Sequence, residues 1–418
     1  MRKNTFTLML VALGCVALSV GCGDSTGTNT TSNGSGGSGG TGAGQGGSST
    51  TGGTPTSSGT GGEGAGTGGA GGGSTGEGGS GGGATGSGGA GGGAGGGGGA
   101  GGGSSQGPGD ASLIGFANYK ADGLDTTTGG KGGEVVTVTN YNDLVAALKD
   151  DAPRIIQISG TIKGAGTPML RVTSNKTIIG QGANATIDGF GFDVNGNQAG
   201  ICTDPTPSSY TPVSNVIIRN LTFINSPDDS INVMCFSHHV WVDHNTFELS
   251  KDGSVDIKRG SDWATVSWNH FNKTDKTMLL GHDDGNSAQD TGKLHVTYHH
   301  NWFNHTKQRN PRVRYGHAHV WNNFADTIGD YMIGKGVDCS IYADGNYAKD
   351  CGDASDDYGG DDLTWADDNI LDNTEPPIAN GKGFDPKTFY QYTSDPAKDI
   401  PTIVPKGAGA GILTGNEY

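Results

Sequence analysis

Val240-Trp-Val-Asp-His-Asn245-Thr-Phe247 is an alternating apolar run closed by an asparagine, one further residue and an aromatic. The pattern returns as Ala264-Thr-Val-Ser-Trp-Asn269-His-Phe271, as Val296-Thr-Tyr-His-His-Asn301-Trp-Phe303 and as His319-Val-Trp-Asn-Asn323-Phe324. Looser copies are Val216-Ile-Ile-Arg-Asn220-Leu-Thr-Phe223 and Ile341-Tyr-Ala-Asp-Gly-Asn346-Tyr347. Counted between the asparagines, the spacings are 25, 24, 32, 22 and 23 residues. A period of this size marks a stacked architecture, in which one unit cannot bury its apolar face without its neighbours. Each unit is a short β-run plus a turn, with no helix between most of them. The pattern therefore predicts an all-β, right-handed parallel β-helix, a solenoid that lays each coil on the one before. In such a stack the asparagine tolerates left-handed turn geometry and its amide bonds to the same amide one coil on. Variable spacing places insertions on one side, often the binding side. The competing architecture is an antiparallel sandwich, which also shows regular short strands. One helical stretch, Asn142 to Lys149, is expected to cap the N-terminal end of the stack.

The repeats occupy residues 110–418, a block of 309 residues and long enough for one large core. Upstream, residues 23–109 hold 45 of the 81 glycines and only three charged residues, Asp24, Glu63 and Glu77. This Gly/Ser/Thr-rich segment cannot bury enough apolar surface to offset its ordering entropy, and reads as a disordered linker. Its r.m.s. reach is about 50 Å. The block carries 24 basic and 39 acidic residues, a charge of −15 within a total of −16. That balance argues against nucleic acid as a partner, since phosphate binding needs a basic footprint.

Residues 1–22 read as an export signal. A short positive start, Met1-Arg-Lys, precedes an apolar run too short for a membrane span. The ending Ser19-Val-Gly-Cys22 is similar to a bacterial lipobox, with Cys22 as the lipidated residue and serine where leucine is usual. An ordinary cleaved signal peptide is the alternative. Either reading predicts a secreted protein, and the first a cell-surface lipoprotein anchored in a bacterial membrane. An exported chain meets oxidising conditions, so Cys202, Cys235, Cys339 and Cys351 are disulfide candidates. The favoured pairing is Cys339–Cys351 as a short local loop, with Cys202–Cys235 as the other bond. No Cys-x-x-Cys occurs, which argues against a zinc site.

Three clusters could carry chemistry. Asp228-Asp229 and Asp252-Gly-Ser-Val-Asp256 offer carboxylates on neighbouring coils. Converging carboxylates repel unless a hard cation neutralises them, and Ca²⁺ takes such oxygen ligands. Exposed turn aspartates are the plain alternative. Arg309-Asn-Pro-Arg312-Val-Arg314 groups three guanidinium groups on an extended run, where Arg312 and Arg314 point the same way. They bind either an anion or the surface aspartates. Lys276 precedes an apolar strand, where a solvated lysine is the commoner case. His238, His239, His299, His300, His305, His317 and His319 surround the repeat turns and read as structural rather than metal-binding. The run Asp350 to Glu375, with ten acids and no base, reads as a solvated loop.

Taken together, Val240-Trp-Val-Asp-His-Asn245, Asp252-Gly-Ser-Val-Asp256-Ile-Lys258-Arg-Gly-Ser, Val296-Thr-Tyr-His-His-Asn301 and Arg309-Asn-Pro-Arg-Val-Arg314-Tyr-Gly closely resemble the pectate lyases of polysaccharide lyase family 1. Ile155-Ile-Gln-Ile-Ser-Gly160 and Asn175-Lys-Thr-Ile-Ile-Gly180 add to the match, which runs from about Ala117 onward. The resemblance implies a parallel β-helix that cleaves polygalacturonate (pectate) by calcium-dependent β-elimination and leaves 4,5-unsaturated ends. It implies calcium ligands at Asp229, Asp252 and Asp256, an essential Lys276, a base at Arg309 and a supporting Arg314, these last three also binding substrate. Keeping all three aspartates favours de-esterified substrate. An arginine base implies an alkaline optimum, because arginine is otherwise protonated throughout. The chain is expected to act as a monomer. Two other readings stay open at this point: a β-helix polygalacturonase, which would need aspartates as acid and base, and a surface protein that binds pectin without cutting it.

Overall fold

The structure, a computed structural model, describes residues 112–197 and 199–418. The expected signal peptide, Cys22 and the Gly-rich linker lie outside the described residues. Three parallel sheets run the length of the described residues. A ten-stranded sheet starts at Glu134–Val138 and ends at Asp362–Trp365. A nine-stranded sheet runs from Thr161–Lys163 to Ile370–Asp372, and an eight-stranded sheet from Met169–Val172 to Asp353–Tyr358. Each strand pairs with its counterparts one coil before and one coil after, as in Val216↔Val240↔Ala264↔Val296. This is the parallel β-helix, and the sandwich reading falls, because every ladder between named strands is parallel.

Period-2 alternation sends one row of each strand inward. Val240 and Val242 lie in the core above Val216 and Ile218 and below Ala264 and Val266. On the nine-stranded sheet Phe223, Phe247, Phe271 and Phe303 stack with centroids 5.2, 5.0 and 5.3 Å apart. Identical residues meet because each coil repeats the previous one, so the interior is a set of side-chain columns.

The asparagine ladder forms, with one shift from the expected register. Asn245 Nδ2 donates to Asn269 Oδ1 at 3.1 Å, Asn269 to Asn301 at 3.1 Å, Asn301 to Asn323 at 3.0 Å, and Asn323 to Asn346 at 3.0 Å. Asn369 extends it at 2.9 Å. Asn220 stands outside: its coil puts Leu221 in the ladder position, where the Leu221 N–H donates to Asn245 Oδ1. The left-handed backbone falls on the residue before Asn245, Asn269, Asn301, Asn323 and Asn346, at His244, Trp268, His300, Asn322 and Gly345, with φ of 50–59°. Asn220 (φ 57°) belongs to that preceding row, and its side chain binds the C-terminal segment through Leu413 O and the Gly411 N–H.

The helix Tyr141–Ala147 caps the first coil. Asn140 accepts from the Asp143 N–H at its start, and Leu144 and Ala147 pack on Val138, Ile156 and Ile158. At the other end the acidic run is no loop. It builds the last coil, through strands Asp353–Tyr358, Asp362–Trp365 and Ile370–Asp372. Among the described residues no helix is long and apolar enough to cross a membrane.

Cys202 and Cys235 are bonded, with Cα atoms 5.6 Å apart. The expected Cys339–Cys351 bond is not made, and both thiols are free and buried. Two strands of different sheets, Ser340–Asp344 and Tyr347–Lys349, separate them and place them at different corners of one coil. Cys339 Sγ faces Asp362 O, whereas Cys351 Sγ faces Lys349 O and Ala325 O. Burial pushes the Cys339 thiol up to about 11.

Candidate active site

Strand Gly253–Ile257 turns Val255 and Ile257 into the core. Alternation therefore sets Asp256, and Lys258 beyond it, on the outer face of the eight-stranded sheet. Asp229 sits at the corner before strand Ile231–Met234, one coil earlier, and its Oδ1 accepts the Gly253 N–H at 2.9 Å. Lys258 closes the gap: its Nζ donates to Asp229 Oδ2 at 3.0 Å and to Asp256 Oδ2 at 3.3 Å. Glycine is required at 253. A Cβ there would meet Asp256 Oδ1 at 2.3 Å and Asp229 Oδ1 at 2.9 Å.

Asp228, Asp229 and Asp252 each bring a carboxylate oxygen within 4.8 Å of the others. Burial, then the neighbouring Asp229, raises the Asp228 carboxyl above its ordinary value. Burial pushes the Asp256 carboxyl up to about 7, against the pull of Lys258 and with a further push from Asp229. For Lys258 burial acts downward, but Asp256 and Asp229 outweigh it and hold the ammonium above its usual range. Asp228, Asp229, Asp252 and Lys258 line a cavity of about 190 Å³, together with Asn232. Asn232 Nδ2 donates to Asp193, while its buried Oδ1 makes no hydrogen bond. Clustered carboxylates with an unsatisfied amide oxygen beside them are a donor set suited to a hard divalent cation such as Ca²⁺. By chemistry the site fits that ion.

Lys276 begins the next strand of the same sheet, Lys276–Leu280, and its Nζ lies 3.0 Å from Asp252 Oδ1. Arg309 follows one coil on, with φ 62°. Its Nε is buried and makes no hydrogen bond. Arg312 lays its guanidinium 4.0 Å from the centre of the Tyr358 ring. Burial, and then Arg314 and Arg309, lower the Arg312 guanidinium from its ordinary value. Arg314 pairs with Asp284 and donates to Gly281 O at 3.3 Å.

Of the aspartates picked out from the sequence, Asp229 and Asp252 thus meet directly. Asp256 joins through Lys258 and stands deeper than the cluster of three. Lys276 reaches that cluster, and Arg309, Arg312 and Arg314 lie further along the same face. Sequence reading placed Asp228 in the acidic cluster without assigning it to the ion, and it gave no role to Asn232 or Lys258. Lys258 was legible in principle, two residues after Asp256 and so on its face. Asn232 was not, because its place beside Asp256 depends on the register Asn232↔Asp256. Four of the histidines picked out from the sequence, His239, His299, His300 and His319, are buried, and His300 pairs with Asp395 at 3.1 Å and His319 with Asp344 at 2.9 Å, while His305 is exposed.

A family model described as pectate lyase matches residues 80–369. The chain belongs to the pectate lyases of polysaccharide lyase family 1. A pectate trisaccharide-lyase of Thermotoga maritima is 34% identical over 359 residues, covering 73% of this chain and 90% of that one. Pectate lyase A of Dickeya chrysanthemi is 36% identical over 283 residues, covering 56% and 70%. A pectate lyase from Bacillus sp. N165, solved with trigalacturonate, shares 27% identity at a TM-score of 0.60, covering 72% of this chain and 99% of that one. A pectate lyase is a carbon–oxygen lyase, so the hydrolase and the non-catalytic binder are set aside. In this pectate lyase the carboxylate cluster, Lys276, Arg312 and Arg314 lie along the outer face of the eight-stranded sheet.

Proposed function

We propose that this pectate lyase cleaves de-esterified polygalacturonate by calcium-dependent β-elimination and releases 4,5-unsaturated oligogalacturonides. The observation that carries the reading is the cluster of Asp228, Asp229 and Asp252 within 4.8 Å, with Lys276 against Asp252 at 3.0 Å. Asp229 and Asp252, with Asp256 behind them, hold the ion in this reading, and Asp228 and Asn232 add oxygens. When bound, calcium supplies positive charge beside the C6 carboxylate of the galacturonate and so stabilises negative charge that develops there.

The chain's own residues do the rest. Lys276 donates to that same carboxylate from its place beside Asp252. Arg309 takes the proton from C5. The C5–H electron pair becomes the C4=C5 double bond, the C4–O bond breaks, and the leaving oxygen is protonated from solvent. Arg314, anchored by Asp284, adds positive charge along the substrate. Arg309 Nε is buried and makes no hydrogen bond.

The test is near-ultraviolet absorbance of unsaturated uronide on polygalacturonate, with and without chelator, for wild type and Arg309→Ala. The signal is lost in chelator and in the variant. Undiminished cleavage in chelator without an unsaturated product overturns the reading. Residues 1–22 further support export with lipid attachment at Cys22, which leaves the β-helix on a tether at the cell surface.

A further inference from the structure

The cavity beside the carboxylate cluster has an apolar wall that the proposed reaction does not use. The connection through residues 196–213 joins the eight-stranded sheet to the ten-stranded one. At the same corner the next coil needs only residues 235–237. The longer connection is tied down at several points. Cys202 is bonded to Cys235. Arg259 Nη1 donates to Cys202 O at 3.1 Å, and Gln289 Nε2 to Asp204 O at 3.0 Å. Tyr210 stacks on Phe236 with centroids 5.9 Å apart.

This bracing holds Ile201 at the cavity that Asp228, Asp229 and Asp252 line. Ile201 is 62% exposed, an unusual position for a large apolar side chain beside three carboxylates. Met169 and Met234 line the same cavity. A bare carboxylate pressed on such a surface loses its water and gains no hydrogen bond. A methyl ester there carries no charge to desolvate and buries its methyl group.

We propose that the wall of Ile201, Met169 and Met234 receives the methyl-esterified carboxyl of a galacturonate next to the one being cleaved, so that partly esterified pectin is a substrate. The inference rests on the reading of the site given above and concerns the neighbouring sugar only. The cleaved residue keeps its free carboxylate.

The test compares kcat/KM for unsaturated-uronide release on polygalacturonate and on pectin with about one-third of its carboxyls esterified. Wild type, Ile201→Gln and Ile201→Leu are measured at saturating calcium. Wild type cleaves both substrates. In Ile201→Gln the ratio of esterified to bare substrate falls about fourfold, the worth of one buried methyl group, while Ile201→Leu keeps the wild-type ratio. An unchanged ratio in Ile201→Gln, or a wild type that cleaves polygalacturonate but not the esterified pectin, overturns the wall. A wild type that cleaves neither overturns the lyase reading itself, which separates the two failures.

Discussion

Lys258 reaches back one coil to Asp229, Nζ to Oδ2 at 3.0 Å, while it holds Asp256 on its own strand at 3.3 Å. One ammonium thus bridges two carboxylates, and all three side chains are at most 16% exposed. Replacing it with an apolar residue of similar length leaves two buried anions facing each other. Removing one partner of such a buried pair costs about 3–5 kcal/mol. Lys258→Met is therefore expected to lower the unfolding free energy by about 3 kcal/mol in chelator. Added calcium restores part of that loss. Thermal unfolding with chelator and with calcium measures both.

Arg309→Lys tests the base. A lysine keeps the charge and loses the guanidine reach, so kcat falls about 10³-fold, within the range for a positioned general base. KM moves less, because in the proposed reading Lys276 and Arg314 still bind the polymer. Tm is unchanged, since Arg309 Nε makes no hydrogen bond to lose. Initial rates against substrate concentration separate the two constants.

Stability falls on the acid side for a stated reason. Burial, first among the causes, lowers His238, His270 and His317 to about 4 from a usual 6.5. The unfolded chain therefore binds more protons than the folded one between those values. By linkage the folded state loses stability as pH falls from about 6.5 to about 4, and holds it above. Tm against pH should decline through that window, and His317→Phe should flatten the decline. A Tm that rises toward pH 4 contradicts it.

Asn269 sits mid-ladder. Its Oδ1 accepts from the Asn245 N–H and Nδ2, and its Nδ2 donates to Val242 O and Asn301 Oδ1. Asn269→Ala strips partners from two buried coils, at a cost of about 2–4 kcal/mol. Denaturant unfolding should report that loss with kcat unchanged, as the ladder lies at the corner between the other two sheets.

Cys22→Ser tests the anchor. In a bacterial host that processes lipoproteins, the wild-type enzyme should fractionate with membranes and the variant should leave them. Fractionation followed by the unsaturated-uronide assay decides it. Identical partitioning of the two forms rules the anchor out.

The period of the asparagines, the alternation around Val240 and the phenylalanine column were written in the chain, because a stacked coil repeats its inward pattern whatever lies between. Asp229, Asp252 and Lys276 stood out as motifs, and the structure brings these three together. What the chain alone did not decide was register. Residues in contact across coils are some 22 to 32 positions apart, and connections such as 196–213 and 281–294 change that distance at single corners. Only the folded stack put Leu221 rather than Asn220 in the ladder, set Asn232 beside Asp256, and gave Lys258 two carboxylates to hold. It likewise kept Cys339 from Cys351, since nearness in sequence counts for little when two strands of a β-helix carry the chain around a corner.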